Sequence, residues 1–490
     1  MKKGILIILD GYGEGEKYDF NAVTNANTPF LHGLKRLPHA LIKTCGEAVG
    51  LFKGDMGGSE VGHMTIGAGK HVLSEARAIN QDFESGNFKK SKNLVSVAKQ
   101  LKDNKGDLHL FGMMSDKNIH SNVTHAYALI DFFSNKARKI YFHIITDGRD
   151  CGIYDSFKYL KELKKHISSV KNCEIASIGG RYYAMDRENN LDRTLKGFNA
   201  AFGKSECIEA DGIEEYISAQ HKRVGSDEFI EPIKVKSSFE SLSSSDAILF
   251  FNFREDRMRQ ITKMCEEKLP AKLVTMSEVG GTNSIVLYHK TLVKHTLCQY
   301  LSELNKSQIK ISESTKYAHV TYFFNGGREE PFDREDRIHI PTKKTNDYAK
   351  TPKMRAKEIT DEIIRAMGRN YDAIIANFSN PDMIGHTGNY NAAVKALEFI
   401  DKCLVKIVEK AKEKDYFIIL TADHGNSEAM RHPDGTPHTT HTLNDVFLSV
   451  IDSVPHKIKK HGELCDVAPT MIKLMGLEDN PEFTGKSLVY

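Results

Sequence analysis

Ile5-Leu6-Ile7-Ile8-Leu9-Asp10 is a run of five apolar residues stopped by a carboxylate. It is too short to cross a membrane and too uninterrupted for a strand with one wet face, so it reads as a strand buried on both sides. Two later runs end the same way. Ala373–Phe378 leads into Asn380-Pro381-Asp382, and Phe417–Thr421 leads into Asp423-His424. In open parallel sheets, the carboxyl ends of strands are where sites are built. Three carboxylates delivered to one such edge repel one another unless a cation holds them together.

Short apolar runs alternate with helix-patterned stretches along the whole chain, which predicts α/β layers around mostly parallel sheets. In the middle of the chain the strand ends carry the opposite charge. Ile140–Thr146 ends in Asp147-Gly148-Arg149-Asp150, Glu174–Ile178 in Gly179-Gly180-Arg181, and Ala247–Phe251 in Asn252-Phe253-Arg254-Glu255-Asp256-Arg257. Arginine suits bidentate capture of carboxylate or phosphate oxygens. Each of these arginines can equally pair with a local acid such as Asp150 or Asp256; taken together at strand ends, the set reads as an anion pocket. Acidic edges come from both ends of the chain and basic ones from the middle, so a second α/β domain is expected within the first. The predicted division is 1–74 with 292–490, and 75–291, the boundaries falling near 72–78 and 283–296.

At 490 residues the chain is too long for one ordinary core, and 40% hydrophobic with 27% charged residues fits a globular protein. A net charge of +3 speaks against nucleic acid as a partner. Lys161 to Lys165 reads as a solvated helix face. The eight cysteines include no Cys-x-x-Cys pair, so neither a disulfide framework nor a structural zinc site is expected, which suits a reducing cytoplasm. No run of 18 apolar residues predicts a membrane helix.

Asp382 and His386 stand four apart; if Pro381 opens a helix, both lie on one face. Asp423 and His424 are adjacent at a strand exit, and His438 and His441 follow. Mixed carboxylate and imidazole donors suit Zn²⁺ or Mn²⁺ better than Ca²⁺. Asp10, Asp382, Asp423, His386, His424 and His441 suffice for two cations, with Ser59 as a further donor. Ser59 lies in the turn Gly54-Asp55-Met56-Gly57-Gly58-Ser59-Glu60-Val61-Gly62-His63. Its glycines are expected to bend the backbone so that the Ser59 hydroxyl meets a cation, making Ser59 a metal-activated phosphoryl acceptor. The chain holds 21 histidines, and His39, His71, His166 and His221 read as structural.

Taken in order, these motifs resemble one family over essentially the whole chain. They are Leu9-Asp10-Gly11-Tyr12-Gly13, Ser59-Glu60-Val61-Gly62-His63, Thr146-Asp147-Gly148-Arg149-Asp150, and Gly180-Arg181-Tyr182-Tyr183-Ala184-Met185-Asp186-Arg187. Asn252-Phe253-Arg254 with Asp256-Arg257, Lys316-Tyr317-Ala318-His319-Val320-Thr321, Asn380-Pro381-Asp382, Gly385-His386-Thr387-Gly388 and Thr421-Ala422-Asp423-His424-Gly425-Asn426 complete the set. The chain is similar to the cofactor-independent phosphoglycerate mutases of the alkaline phosphatase superfamily. The resemblance implies an alkaline-phosphatase-like metal domain with an inserted substrate domain, and interconversion of 3-phosphoglycerate and 2-phosphoglycerate without 2,3-bisphosphoglycerate. It implies two Mn²⁺ ions, with Zn²⁺ or Co²⁺ also compatible with the donors. One ion would be held by Asp382, His386 and His441, the other by Asp10, Ser59, Asp423 and His424. Substrate would meet His120, Arg149, Asp150, Arg181, Arg187, Arg254, Arg257 and Lys316. The chain departs from the family pattern at His120-Ser121-Asn122, where a second histidine is usual, at Cys151-Gly152-Ile153, which lacks the usual prolines, and at Gly58, where asparagine is usual.

A mutase of this kind must hold the phosphoryl group while the glycerate turns. Ser59 is expected to accept it, Lys316 to stabilise its charge, Asp150 to move the proton between the two hydroxyls, and the arginines to retain the carboxylate. Closure of the arginine domain is expected to exclude water, and a monomer is expected. The rival reading is a metal-dependent phosphomonoesterase of the same superfamily, which has no need to retain its leaving group.

Overall fold

In the computed structural model, which describes residues 2–490, the opening run forms the strand Lys3–Leu9. Strands Ala373–Phe378 and Tyr416–Thr421 flank it in parallel on either side. Ile5 to Leu9 are completely buried, which is why the run carries no polar alternation.

The chain divides into two compact units, residues 1–74 with 291–490, and 75–290. The sheet of the first unit has eight strands, in the order Glu335–Ile340, Gln308–Glu313, Ala373–Phe378, Lys3–Leu9, Tyr416–Thr421, Val446–Ile451, His39–Lys43 and His461–Glu463. The first five run parallel, so their carboxyl ends share one edge. Val446–Ile451 runs antiparallel to both its neighbours. The helices Ala356–Gly368 and Tyr390–Glu413 turn apolar stripes onto this sheet, through residues such as Ile359, Ile363, Leu397 and Leu404.

The second unit also carries an eight-stranded sheet, in the order Ile285–Tyr288, Lys272–Ser277, Ala247–Phe250, Leu108–Met114, Ile140–Thr146, Cys173–Gly180, Ile233–Val235 and Cys207–Ile208. All pairings are parallel except that of Cys173–Gly180 with Ile233–Val235. Its core is separate from that of the first unit and is built from Leu108, Leu110, Phe142, Leu249 and their neighbours. Lys161 to Lys165 lie on the helix Ser156–Ile167, whose buried residues are Ser156, Tyr159, Leu160 and Leu163. No helix among the described residues is long and apolar enough to cross a membrane.

Candidate active site

Four neighbouring parallel strands of the first unit each deliver a charged residue at the carboxyl end. Asp10 follows Leu9 directly. Pro381 lies in the first turn of the helix Asn380–Gly385, which carries Asp382 and is capped by His386. Asp423 and His424 leave Tyr416–Thr421, and Lys316 closes the turn Ser314–Lys316 after Gln308–Glu313. Ser59 is the first residue of the helix Ser59–Ala68, so its hydroxyl arrives at the same edge from a different element.

These groups converge tightly. The Ser59 Oγ lies 3.1 Å from Asp10 Oδ1 and 2.9 Å from His424 Nε2, and Lys316 Nζ donates to it at 2.5 Å. Lys316 Nζ also stands 2.7 Å from both Asp10 Oδ1 and Asp382 Oδ2. His386 Nε2 and His441 Nε2 lie 3.1 and 3.3 Å from Asp382 Oδ1 and 3.2 Å from each other. The His424 ring stacks on that of His441 at 3.8 Å. His438 does not join; its ring lies against His432. A cleft of about 520 Å³ opens over Ser59, Lys316, Asp382, His386 and His441.

In the turn before Ser59, Gly54 takes the left-handed backbone with φ +89°, whereas Gly57 and Gly58 do not. Gly58 has an extended φ of −167°, open to any residue, and a Cβ there would make only ordinary contact with His441. Gly57 is the constrained position, because a Cβ would lie 2.0 Å from the Thr44 carbonyl oxygen.

The donor set fits divalent cations on three counts. First, the Nδ1 atoms of His386, His441 and His424 face the carbonyl oxygens of Thr439, Gly57 and Gly425 at 2.8, 2.9 and 3.2 Å. That fixes one proton on Nδ1 and turns Nε2 into the cluster, the posture of a ligating imidazole once any proton on Nε2 has been displaced. Second, the buried Asp423 Oδ2 receives no hydrogen bond of good geometry, with only His63 Nδ1 near it at 3.2 Å. Third, the buried carboxylates of Asp10, Asp382 and Asp423 outnumber the single lysine. Burial opposes their ionisation, yet Lys316 holds Asp10 and Asp382 below the usual carboxylate range, and His424 and His63 do the same for Asp423. Burial likewise opposes charge on His424, but Asp423, Asp10 and Asp382 push it up to about 10. His386 is raised chiefly by its bond to Asp382. The surplus negative charge thus gathers protons where cations would sit. Ligand atoms close enough to share an ion group Asp382 with His424 and His441, and Asp10 with His63 and Asp423.

In the second unit, Arg181 opens a short helix directly after Cys173–Gly180 and is buried. Its Nη1 lies 2.6 Å from Asp147 Oδ1 and also binds Asp150 Oδ2. Arg187 and Arg254 share Asp256 at 3.2 and 3.1 Å, Arg149 lies 3.4 Å from Glu228, and Arg257 donates to the Met185 carbonyl oxygen. His120 sits between the two acids, 3.8 Å from Asp150 and 4.0 Å from Asp256. Both bland and functional features are therefore present: local acids pair with the arginines, but the arginines exceed them. Arg257 falls below its usual range, first through partial burial and then through the charges of Arg181, Arg187 and Arg149. Burial, Arg181 and Arg254 bring His120 down to about 4. Arg181 Nε is buried without a partner. Such convergence of positive charge is suited to an anion. At the departures, Asn122 caps the helix Val123–Phe133 by accepting from Thr124 N at 2.8 Å, and Gly152 N donates to Asp155 at 2.9 Å.

Sequence reasoning passed over His63 and Asn377. His63 is fully buried, its Nδ1 2.9 Å from the Ser59 carbonyl oxygen and 3.2 Å from Asp423 Oδ2. Asn377 Nδ2 donates to His63 Nε2 at 3.0 Å and to Asp10 Oδ2 at 2.8 Å. The signal was available in part: Asn377 is the one polar residue in the buried strand Ala373–Phe378.

The chain is similar to known proteins over its whole length. A model of the metalloenzyme superfamily matches residues 2–479. A 2,3-bisphosphoglycerate-independent phosphoglycerate mutase of Clostridium kluyveri is 39% identical, the alignment covering all of this chain and 99% of the relative. The protein of that name from Acetivibrio thermocellus is also 39% identical, over 99% and 98% of the two chains. Among solved structures, a Leishmania mexicana phosphoglycerate mutase determined at low cobalt concentration superposes with a TM-score of 0.64 at 27% identity, covering all of this chain and 98% of that one.

Proposed function

The chain belongs to the 2,3-bisphosphoglycerate-independent phosphoglycerate mutases of the metalloenzyme superfamily, and on that premise we propose that it interconverts 3-phosphoglycerate and 2-phosphoglycerate through a phosphoryl group carried on Ser59. The observation that carries this reading is the placement of one buried hydroxyl within 3.1 Å of Asp10, His424 and Lys316 together.

Asp382, His386 and His441 would hold one divalent cation, and Asp10, Asp423, His424 and Ser59 a second. Bound there, cations would supply Lewis acidity that makes the hydroxyl a better nucleophile and offsets phosphoryl charge. Mn²⁺ follows from the family; the mixed carboxylate and imidazole donors suit Zn²⁺ and Co²⁺ as well.

The Ser59 Oγ, entering as the alkoxide with its proton already lost to solvent, forms the new P–O bond as the bond from phosphorus to the substrate's O3 breaks, leaving glycerate and phosphoserine, and it becomes the alkoxide again when O2 takes the phosphoryl group back. Burial opposes charge on Lys316, but in the metal-free site Asp10, Asp382 and Asp423 hold it above the usual lysine range, and its Nζ, 2.5 Å from the Ser59 Oγ, is placed to neutralise the transferring group. Asp150 takes the proton from the glycerate O2 and returns one to O3, its carboxylate oriented by Arg181. Arg149, Arg181, Arg187, Arg254 and Arg257 hold the glycerate carboxylate while the molecule turns, with His120 between their partner acids. O2 then takes the phosphoryl group back.

All eight cysteines are unpaired, which supports a reducing compartment such as the cytoplasm. A monomer acting on a small molecule alone, without nucleic acid or membrane, is the proposed working form.

The decisive assay supplies 3-phosphoglycerate and Mn²⁺ without 2,3-bisphosphoglycerate and couples product to enolase. Formation of 2-phosphoglycerate that chelation abolishes is expected. Free phosphate in its place would make the protein a phosphomonoesterase and overturn the proposal.

A further inference from the structure

Glu428 is buried four residues after His424, and its carboxylate touches neither Ser59 nor the cleft. It accepts four hydrogen bonds. Oε2 receives the backbone N–H groups of Gly13 at 3.1 Å and Asn426 at 2.8 Å. Oε1 receives the Thr442 hydroxyl and, at 3.0 Å, the Asn444 amide. A carboxylate is the one side chain of this size that presents only acceptors to such a ring of donors.

The donors belong to segments that carry metal-ligand candidates. Gly13 lies three residues after Asp10, Asn426 two after His424, and Thr442 one after His441. Asn426 in turn donates its Nδ2 to Asp382 Oδ1 at 2.8 Å, linking the helix that bears Asp382 and His386. The chain has also been emptied of side chains around this carboxylate. A Cβ on Gly13 would lie 2.3 Å from Glu428 Cδ, one on Gly15 2.9 Å from Cγ, and one on Gly425 2.3 Å from both Oε1 and the Thr442 hydroxyl. Three glycines moulded to one buried carboxylate describe a built clamp.

Resting on the two-cation reading above, we infer that Glu428 is the positioning residue that holds three ligand-bearing loops in register, and so sets metal affinity without touching metal or substrate. Groups behind metal ligands typically govern affinity or activity by about 10–100-fold. Glu428→Gln keeps the shape but puts an amide donor where donors already point, so one half of the clamp must open.

The test uses the full chain stripped of metal and titrated with Mn²⁺ by calorimetry, alongside turnover of 3-phosphoglycerate. Wild type is expected to take up two equivalents. E428Q is expected to bind about 10–100-fold more weakly. Saturating Mn²⁺ should restore most of its kcat and leave KM for 3-phosphoglycerate unchanged. Thr442→Val removes the hydroxyl that donates to Glu428 and accepts from Asn444 N at 3.3 Å but leaves Glu428 in place, so it reads the same role, with a smaller loss of affinity, should E428Q fold poorly. Glu428→Asp, which keeps the charge but shortens the reach, should fall between E428Q and wild type. Wild-type Mn²⁺ affinity in the folded variants, even with a lower melting temperature, would assign Glu428 to stability alone and overturn the inference. Failure of wild type to take up any divalent ion would instead overturn the two-cation reading itself.

Discussion

Acid should unfold the arginine-bearing unit well before it protonates that unit's carboxylates, because, besides His120 at the arginine edge, the unit buries three neutral histidines away from that edge. His109 and His143 lie on adjacent strands and are completely buried. His109 Nδ1 faces His143 Nε2 at 2.9 Å, so one shared proton satisfies both, and a second would set N–H against N–H. His143 Nδ1 is engaged by Ser177 at 2.9 Å, and His109 Nε2 has no partner. His125 packs on Phe83 with neither ring nitrogen bonded. Burial brings His109 down to about 3 and His125 to about 4, and carries His143 well below its usual range. In the unfolded chain each titrates near 6.5. Below that value the unfolded state takes up protons that the folded state refuses, so stability present above pH 6.5 is lost as pH falls. Each histidine loses about 1.4 kcal/mol per pH unit, about 2 kcal/mol at pH 5, and the three together about 6 kcal/mol. That is a large part of the ~5–15 kcal/mol that a domain usually has. The chain has no tryptophan, so urea unfolding is best followed by far-UV circular dichroism. The loss should steepen between pH 6.5 and 5, and His125→Leu should recover about 2 kcal/mol of it at pH 5 relative to pH 7.5. A stability that is flat over this window, or a His125→Leu slope equal to wild type, would refute the reasoning.

Other predictions address the chemistry directly. Ser59→Ala should abolish transfer of labelled phosphate to the protein; full labelling would remove Ser59 from the mechanism. Lys316→Met should lower kcat by about 10²–10³-fold with metal content retained, and a change under tenfold would show that its charge is not needed at the transferring group. In the metal-free site His424 is held up to about 10, so it carries a proton at pH 7.5 that metal must displace. Calorimetry in two buffers of different ionisation enthalpy should therefore show at least one proton released, with affinity falling about tenfold or more from pH 7.5 to 6.5; equal heats and a flat affinity would contradict this. Small-angle scattering should show a more compact particle with substrate than without, and an unchanged profile would count against closure during turnover.

The ligand candidates were legible in the sequence because parallel strands advertise their ends. Asp10, Asp382 and Asp423 follow apolar runs that can only be buried strands, and the topology then brings the ends together without further information. The arginines were legible for the same reason, at Arg181 after Cys173–Gly180 and Arg254 after Ala247–Phe250. What stayed hidden depends on contacts between distant segments. Asn377 and His63 are 314 residues apart, and nothing local to either shows that they meet beneath Asp10. Glu428 sits in a motif whose aspartate and histidine draw attention, but three of its four donors come from residues 13, 442 and 444. At Gly57 a sequence shows the missing side chain but not the Thr44 carbonyl oxygen that a Cβ would meet.

The proposed reaction asks something different of the charge on each unit. The carboxylate edge repels a phosphate until cations occupy it, and once occupied it would serve a phosphatase as well as a mutase. The arginine edge has the reverse character: its acids are too few, and Arg257 feels the excess. A phosphoglycerate carries a phosphate for the first edge and a carboxylate for the second. Hydrolysis needs only the first, whereas isomerisation needs the glycerate kept after its phosphate has left. Weakening the arginines should therefore not stop phosphoryl transfer to Ser59 but redirect its outcome. Arg257→Ala is the informative variant, since among the described residues its guanidinium makes one hydrogen bond, to the Met185 carbonyl oxygen, and no ion pair. Its mutase activity should fall while the ratio of free phosphate to 2-phosphoglycerate rises. Loss of both products together would mean that the arginine edge serves capture of the substrate and not retention of the intermediate.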